Sequence, residues 1–307
     1  MKIGVIGGSG FIGKHVTKEL LARGYEVVIF DKFKPSIDVP FKEIDILDIA
    51  TLRENLIDVD GVIHLAALVG VDNCRLNEED VVRVNFEGTK NIVQVCNENG
   101  IEKLLFSSSS EVYGDGVSVP FKENDIKIPK SAYGKAKLMS EDYLKEYASN
   151  SLKIRVVRYF NVYGSQQNDN FVISKFLKQA HSGEDITIYG DGQQIRCFSY
   201  ISDIVNGTIL AFEYEGENFA DFNIGNNKPI SMEELAIKIN ELMGNKSKIK
   251  FLDLGEEGVR NSSIEIFRRI PSIEKAKLFL NYQPIISLDK GLEIIIGEKY
   301  GNTVSIS

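Results

Sequence analysis

Short apolar runs alternate with longer amphipathic segments along the first half of the chain. Six runs of strand length are largely apolar, which is typical of strands buried on both faces, and they cover residues 1–6, 26–31, 41–46, 61–65, 103–107 and 153–158. The segments between them predict helices, since apolar residues recur every three or four positions, as Ile12, Val16 and Leu20 do before Gly24. Further predicted helices of this half span about residues 49–56, 85–99 and 132–148. This alternation indicates right-handed βαβ units and a parallel sheet covered on both faces, an α/β fold.

Three glycines mark the junction between the first strand and the first helix. Gly7, Gly10 and Gly13 have the spacing G-x-x-G-x-x-G, a variant of the dinucleotide-binding fingerprint. Such a turn needs positive φ, and a side chain in it would hold the backbone away from a pyrophosphate, which the helix N-terminus attracts. Asp31 ends the second strand, where a carboxylate accepts ribose hydroxyls and repels a 2′-phosphate. The pattern predicts NAD on a Rossmann-type doubly wound parallel sheet, although Lys32 acts against the preference for NAD over NADP.

Composition excludes several classes of protein. The chain has 307 residues, of which 43% are hydrophobic, enough for a large core and for either two domains or one domain with a sizeable annex. The formal net charge of −8 argues against a nucleic-acid-binding surface. Cys74, Cys96 and Cys197 have no metal-ligand spacing and are too few for a disulfide framework, so we expect no metal. No apolar run approaches the ~20 residues of a membrane span, and the first strand is too short for a signal peptide, so we expect a cytoplasmic protein without membrane contact.

Polar residues cluster behind the predicted strands, at the edge where parallel sheets bind ligands. The fifth strand runs into Ser107–Gly114, whose four consecutive serines could also form a flexible loop. A hydrolase nucleophile is not supported, because no G-x-S-x-G motif occurs there or at Ser9. On the next helix Tyr133 and Lys137 are four residues apart and project from one face, although a surface pair can have the same spacing by chance.

Together these features resemble the extended short-chain dehydrogenase/reductase family, in its nucleotide-sugar epimerase and dehydratase branch. The resemblance covers nearly the whole chain and depends on the order and spacing of individually modest motifs. These are Gly7-x-x-Gly10-x-x-Gly13, Asp45-Ile46, His64-Leu65-Ala66-Ala67, Asn85-x-x-Gly88-Thr89, the serine run with Val112-Tyr113-Gly114, Tyr133-x-x-x-Lys137, Arg158-Tyr159-Phe160-Asn161-Val162-Tyr163-Gly164 and Ile188-Tyr189-Gly190-Asp191-Gly192-x-x-x-Arg196. The resemblance implies an enzyme that binds NAD and a nucleotide-diphosphate sugar and forms a homodimer.

The resemblance also implies how the chemistry is divided. Tyr133 is the expected catalytic base, Lys137 holds the nicotinamide ribose, and Ser109 hydrogen-bonds the reacting sugar oxygen, with Ser108 as the neighbouring alternative. A phenol must lose roughly three pKa units to act at neutral pH, about 4 kcal/mol, and a neighbouring ammonium favours the phenolate. The role of Glu111 stays open between a base at the sugar C5 and a loop carboxylate.

The remaining site residues follow from matching motif positions. The implied cofactor-binding residues are Gly7, Gly10, Phe11, Ile12, Asp31, Lys32, Asp45, Ile46, Leu65, Ala66, Ala67, Ser107, Tyr133, Lys137, Tyr159 and Val162. The implied substrate-binding residues are Ser109, Ser110, Asn161, Arg196, Arg260 and Arg269. Guanidinium groups pair bidentately with phosphate oxygens, so the arginines are diphosphate candidates. Arg260 and Arg269 compete for one position, and either could instead be a surface arginine.

The second half of the chain changes character, with helices predicted over about residues 170–182, 231–243 and 272–280. We expect residues 1–164 and 197–225 to form the NAD-binding Rossmann domain. Residues 165–196 and 226–307 then form a smaller α/β domain that binds the nucleotide sugar. The helices over residues 91–99 and 136–147 resemble those of the family's dimer interface, although their apolar residues could instead pack on the sheet. These residues are Ile92, Val93, Cys96, Leu138, Tyr143 and Leu144.

The segment Ser109-Ser110-Glu111 bears on the reaction. The family's 4,6-dehydratases typically have Thr-Asp-Glu there, so Ser110 argues against dehydration, whereas decarboxylases have Thr-Ser-Glu and remain an alternative. The residues around Tyr133 resemble epimerases more closely. We therefore expect oxidation at C4 of the sugar by tightly held NAD and re-reduction to the 4-epimer. A 4-dehydrogenase that releases the 4-keto sugar would use the same residues, and a non-enzymatic dinucleotide sensor is disfavoured because Tyr133 and Lys137 are both present.

Overall fold

The computed structural model describes residues 1–69, 77–116, 118–253 and 265–301. The strands of these residues are β1 (Lys2–Ile6), β2 (Glu26–Asp31), β3 (Phe41–Glu43), β4 (Gly61–His64), β5 (Lys103–Ser109), β6 (Lys153–Tyr159), β7 (Val162–Tyr163), β8 (Ile186–Tyr189), β9 (Ile195–Arg196), β10 (Ser199–Tyr200), β11 (Phe219–Ile224), β12 (Ile230–Ser231), β13 (Ile249–Leu252) and β14 (Arg268–Arg269).

Helices connect most of these strands. They are α1 (Phe11–Ala22), α2 (Ile49–Asn55), α3 (Glu78–Val82), α4 (Gly88–Glu98), α5 (Ala132–Tyr147), α6 (Val172–Ser182), α7 (Ile201–Glu213), α8 (Met232–Leu242), α9 (Glu274–Leu280) and α10 (Leu288–Tyr300). A π-helical turn, Arg83–Glu87, joins α3 to α4, and a 3₁₀ turn, Ser110–Tyr113, follows β5. Among the described residues, no helix has the length and apolar character needed to cross a membrane.

The central sheet confirms the predicted doubly wound parallel fold. Its strand order is β11-β6-β5-β4-β1-β2-β3, and all of its pairings are parallel. The chain builds outward from β1 to β3, then returns to the other side of β1 and builds from β4 to β11. The reversal falls between β1 and β4, and ligands of open α/β sheets bind beyond the carboxyl ends of the strands at such a point.

Two apolar layers cover the sheet. On one face, Val16 of α1 and Ile204 of α7 belong to the cluster that includes Ile3 and Val157 of the sheet. On the other face, α2, α4 and α5 contribute Leu52, Ile92, Val93, Cys96 and Leu144 to a second cluster. Ile92, Val93, Cys96 and Leu144 therefore pack on the sheet, which was the alternative to a place in a dimer interface. Leu138 and Tyr143 stay partly exposed.

Two small sheets lie in the second half of the chain. One has the order β12-β9-β14, and the register of β9 and β14 places Arg196 opposite Arg269. The other pairs β13 with β8. The division into two domains at the sequence-derived boundaries stays a prediction.

The third strand is shorter than the sequence predicted. The expected strand over residues 41–46 was wrong at its end, since β3 stops at Glu43. Asp45 starts a turn instead, because its Oδ1 accepts a hydrogen bond from the Leu47 N–H at 2.9 Å. Asp48 then caps α2 by accepting the N–H groups of Ala50 and Thr51.

Candidate functional site

Close backbone contacts at the glycine turn after β1 leave no room for side chains at two of its positions. Gly7 has φ +83°, and a Cβ there would lie 2.5 Å from the backbone nitrogen of Ala66. A Cβ at Gly13 would lie 2.2 Å from the Gly7 carbonyl oxygen, so α1 can approach the turn only without a side chain at that position. Gly10 is the N-cap of α1 and supplies no side-chain cap. The first N–H groups of a 12-residue helix are thus left for an anion, which fits the pyrophosphate of NAD.

Asp31 and its neighbours occupy the next part of the same edge. The Asp31 carboxylate accepts hydrogen bonds from the Ser9 N–H and the Phe33 N–H, both at 3.0 Å. Lys32 Nζ lies 2.7 Å from Asp45 Oδ2. Burial acts to raise the pKa of Asp45, but its hydrogen bonds to Lys32 and the Leu47 N–H hold that pKa below its ordinary value. Because the Lys32 ammonium faces a carboxylate, its attraction for a 2′-phosphate is partly offset.

Lys137 is enclosed at the end of β5. Its side chain is buried, its Nζ donates to the Ser107 carbonyl at 2.7 Å, and it lies 4.5 Å from the centre of the Phe106 ring. The half-buried Tyr133 ring is 5.8 Å from Nζ. Burial lowers the pKa of Lys137 to about 7, although the Glu141 carboxylate acts in the opposite direction. The structure thus brings Tyr133 and Lys137 together on the face of α5 that meets the sheet edge.

The serine run separates into inward and outward hydroxyls. Ser108 is buried and donates to Glu141 Oε1 at 2.5 Å, so its hydroxyl is occupied in the core. Ser109 is half-buried, and its Oγ accepts the Glu111 N–H at 3.2 Å, which leaves its own proton to donate. Of these two serines, Ser108 uses its proton on Glu141 and Ser109 keeps its proton for a ligand, while Ser110, the first residue of the 3₁₀ turn, is buried.

Glu111 lies in a polar contact that the sequence did not reveal. Ser131, the N-cap of α5, donates to Glu111 Oε2 at 2.6 Å while it accepts the Gly134 N–H at 3.0 Å. Arg269 Nη1 lies 3.5 Å from Glu111 Oε1. The Arg269 Nε is buried and makes no hydrogen bond within the described part of the chain. In the sequence, Ser131 could be noticed only as a serine at the start of the predicted helix, three residues before Gly134.

The three arginines that were predicted to bind the diphosphate differ in what the structure shows of them. Arg196 is buried, donates to the carbonyls of Ile195 and Phe267 at 2.8 and 3.1 Å, and also contacts the Glu265 carboxylate. Arg269 lies across from it on β14, whereas Arg260 lies outside the described residues. The structure thus places Arg196 and Arg269 side by side.

The remaining predicted residues line the same edge. Asn161 has φ +35° and donates to the Cys197 carbonyl at 3.3 Å, and Tyr159 is buried with its hydroxyl 2.8 Å from Thr208 Oγ1. Ile46 is buried under Gly88, where a Cβ would lie 2.5 Å from it. The expected walls of the cofactor site are all half-buried: Phe11, Ile12, Leu65, Ala66, Ala67 and Val162.

Known proteins resemble this chain in sequence and in fold. A family model described as the NAD dependent epimerase/dehydratase family matches residues 3–225. A UDP-N-acetyl-alpha-D-glucosaminuronate decarboxylase of Bacillus cytotoxicus is 36% identical over 307 residues, covering 94% of each chain. A UDP-glucuronate 4-epimerase of Thermodesulfobacterium geofontis is 34% identical, covering 94% of this chain and 93% of the relative. The crystal structure of a UDP-glucuronic acid 4-epimerase from Bacillus cereus, in complex with UDP-glucuronic acid and NAD, superposes with a TM-score of 0.86 at 31% identity and covers 97% and 99% of the two chains.

Proposed function

The chain belongs to the NAD-dependent epimerase/dehydratase family, and we propose that it converts a UDP-hexuronate to a UDP-pentose by oxidation at C4, loss of the C6 carboxylate and re-reduction. Membership makes it an NAD-dependent enzyme that modifies nucleotide sugars. The observation that carries the proposal is the contact of Glu111 with Ser131 and Arg269 beside Tyr133 and Ser109. The similar decarboxylase of Bacillus cytotoxicus supports the same reaction.

The first step is oxidation at C4. Bound NAD supplies the chemistry of this step, because it accepts the C4 hydride and later returns it. Tyr133, as phenolate, takes the proton of the C4 hydroxyl, and the positive charge of Lys137 favours that phenolate. Ser109 donates its free proton to the same oxygen, since its Oγ already accepts the Glu111 N–H. Lys137, Tyr159 and Val162 are proposed to bound the nicotinamide end of the cofactor.

The second step follows from the chemistry of the product. A 4-keto hexuronate is a β-keto acid, so the C5–C6 bond can break with its electron pair delocalised onto the C4 oxygen as an enolate, releasing carbon dioxide. C5 then takes a proton, and re-reduction at C4 makes the sequence redox-neutral. Glu111 is proposed to carry the proton for C5, and Arg269 to orient the C6 carboxylate through its unpaired Nε. Arg196 and Asn161 are proposed to hold the diphosphate.

A 4-epimerase acting on a UDP-hexuronate is the second candidate, and it is the reaction that the sequence favoured. Two of the similar proteins are UDP-glucuronate 4-epimerases. Such an enzyme would use Tyr133, Lys137 and Ser109 in the same way but would keep the carboxylate. The carboxylate of Glu111, held in place by Ser131 and Arg269, supports decarboxylation over epimerisation because C5 must gain a proton only in the former reaction.

The test is a product assay with UDP-glucuronate and no added cofactor, followed by proton NMR. We expect a UDP-pentose and one equivalent of carbon dioxide per turnover. UDP-galacturonate with retained carboxylate would contradict the proposal and establish the epimerase. Accumulation of a 4-keto sugar with NADH after about one turnover would establish the dehydrogenase. A parallel incubation with UDP-N-acetylglucosaminuronate tests whether the substrate of the enzyme carries an acetamido group at C2 of its sugar.

Replacing Glu111 with glutamine should separate the two steps. We expect the rate of carbon dioxide release to fall by about 10²–10⁴, the range for loss of a positioned proton carrier. NADH formation in the first turnover should persist, because Tyr133 and Ser109 remain. The matched control is Asp115→Asn, which removes an exposed carboxylate four residues away. Unchanged carbon dioxide release by Glu111→Gln would remove Glu111 from the mechanism.

We also propose that the chain forms a homodimer through the outer faces of α4 and α5. Met139 and Tyr147 of α5 are about two-fifths exposed, and the Tyr143 and Tyr147 rings lie 4.6 Å apart. The Phe86 ring packs edge-on against Tyr143 at 6.1 Å. This strip of partly exposed aromatic rings supports an apolar contact with a second copy.

A further inference from the structure

A buried charge cluster lies behind the end of β5, where it contacts the buried Ser108. Its centre is Arg158 of β6, whose side chain is 2% exposed. Arg158 donates to Glu141 Oε1 from Nε at 2.9 Å and to Oε2 from Nη2 at 2.7 Å, and also to Asp221 Oδ2 at 2.7 Å. This is a two-bond guanidinium–carboxylate contact with a second carboxylate behind it, which fixes the Glu141 side chain.

Glu141 connects this cluster to two site residues. Its Oε1 also accepts the Ser108 hydroxyl at 2.5 Å, so it holds β5 at the residue between Ser107 and Ser109. On α5 it lies one helical turn after Lys137, and residues at this spacing share a face. The Lys137 ammonium in turn donates to the Ser107 carbonyl at 2.7 Å. One carboxylate therefore adjoins both the lysine and the strand end that the lysine contacts.

Few other charged groups face Lys137. From β4, the buried His64 makes a 3.1 Å contact with Thr89, and burial together with the nearby Lys137 charge lowers the pKa of this imidazole well below its ordinary value, so it brings no positive charge. From α5 itself, Tyr133 and Glu141 face the ammonium. Within the described residues, Lys137 makes no ion pair at contact distance. Glu141, fixed by Arg158 one helical turn away, is the carboxylate whose charge acts on Lys137.

The groups around Glu141 carry charges of both signs. Arg158 contacts it directly, and Lys127 acts on it from the loop before α5. Behind Arg158 lie Asp221, which Lys275 contacts at 2.7 Å, and the Tyr113 hydroxyl at 3.0 Å from Arg158 Nη1. Removing Glu141 and Arg158 together would remove one charge of each sign and leave Asp221 with its lysine partner.

We propose that Glu141 is a positioning residue that serves as the buried counter-charge of Lys137 and fixes the Ser107–Ser109 segment for cofactor binding. The inference rests on the proposed function only in assigning Lys137 to the cofactor. Arg158 serves as the anchor, since it satisfies both oxygens of Glu141. The Glu141 charge favours the protonated ammonium, which donates to the Ser107 carbonyl and keeps two donors for a ribose.

The test measures the dissociation constant of NADH by fluorescence between pH 5 and 10, and it needs no sugar substrate. In the unaltered protein, affinity should weaken as Lys137 loses its proton. In Glu141→Gln with Arg158→Met, that transition should move to lower pH by about one unit or more, because an opposite charge nearby favours the protonated amine. The double variant is used because removal of both buried charges leaves no unpaired ion, and circular dichroism confirms the fold.

One further variant, Ser108→Ala, and two matched controls, Asp142→Asn and Ser140→Ala, sharpen the result. Asp142→Asn removes an exposed carboxylate from the next position of α5 and should leave the transition in place. Ser108→Ala keeps the charge, so it should weaken NADH binding several-fold without moving the transition. Ser140→Ala, which removes a buried hydroxyl bound to backbone carbonyls on the same helix, should do neither.

The outcomes are separable. A transition that stays at the same pH in the folded double variant would overturn the counter-charge role, and equal NADH affinity in Ser108→Ala and Ser140→Ala would overturn the positioning of β5. If the transition moves as expected but UDP-glucuronate is not converted, the proposed function fails while this inference stands.

Discussion

Replacing Tyr133 with phenylalanine is expected to lower kcat by about 10²–10⁴ while the protein still folds and binds NADH. The phenyl ring keeps the half-buried packing of the tyrosine next to Lys137 and loses the hydroxyl that is proposed to take the C4 proton. Both candidate reactions begin with that proton transfer, so the loss should appear with either product. Initial rates with UDP-glucuronate and the NADH dissociation constant measure the two quantities.

The control is Tyr25→Phe, which removes a hydroxyl that donates to Glu213 Oε1 at 2.8 Å outside the site. Its kcat should equal that of the unaltered enzyme. A Tyr133→Phe enzyme with undiminished turnover would show that a different group accepts the proton, and the proposed mechanism would fail with it.

The sheet could be predicted from sequence because its signal is local. A strand covered on both faces is a continuous apolar run, and the amphipathic helices between the runs leave little choice of topology. The gathering of Gly7, Asp31 and the serine run at one edge follows from the same rule, since parallel strands end on the same side. The early end of β3 could not be seen in this way, because it depends on one side-chain contact of Asp45.

The contacts behind the site could not be predicted, because they depend on register and side-chain direction. Arg158 meets partners 17 and 63 positions away, and the distant one is set by the pairing of β6 with β11. The alternation of side chains along β5 sends Ser108 inward to Glu141 and leaves Ser109 at the site. The approach of Arg269 to Glu111 likewise requires the small sheet in which β14 pairs with β9.

Replacing Arg158 alone with methionine is expected to lower the free energy of unfolding by about 3–5 kcal/mol, the cost of breaking a buried pair. Methionine fills much of the volume but leaves the 4%-exposed Glu141 without its guanidinium partner and Asp221 with Lys275 alone. Urea denaturation should show a lower midpoint. The double variant with Glu141→Gln should recover part of the loss, since it no longer buries that unpaired carboxylate.

The same substitution at Arg53 isolates the effect of burial. Arg53 also makes two bonds to one carboxylate, from Nε at 2.7 Å and from Nη2 at 3.1 Å to Glu98, but the side chains are 44% and 37% exposed. Arg53→Met should therefore lower the urea midpoint far less than Arg158→Met does, since water replaces the lost partner. Equal costs at the two positions would show that bond geometry, rather than burial, sets the energy of the Arg158 cluster.

The pH dependence of the Arg158→Met effect provides an independent check. Burial acts to raise the pKa of Asp221, but Arg158 and Lys275 together hold it below its ordinary value. A lowered folded-state pKa contributes stability that is present above the unfolded pKa, about 4, and is lost as the pH falls through the folded value. Without Arg158 the contribution of Asp221 to stability is smaller. Acidification protonates the Asp221 carboxylate, which removes the charge that has lost its arginine partner in the variant. The stability difference between the two proteins should thus be largest near pH 7 and should narrow below about pH 5, whereas a purely steric defect would keep it constant.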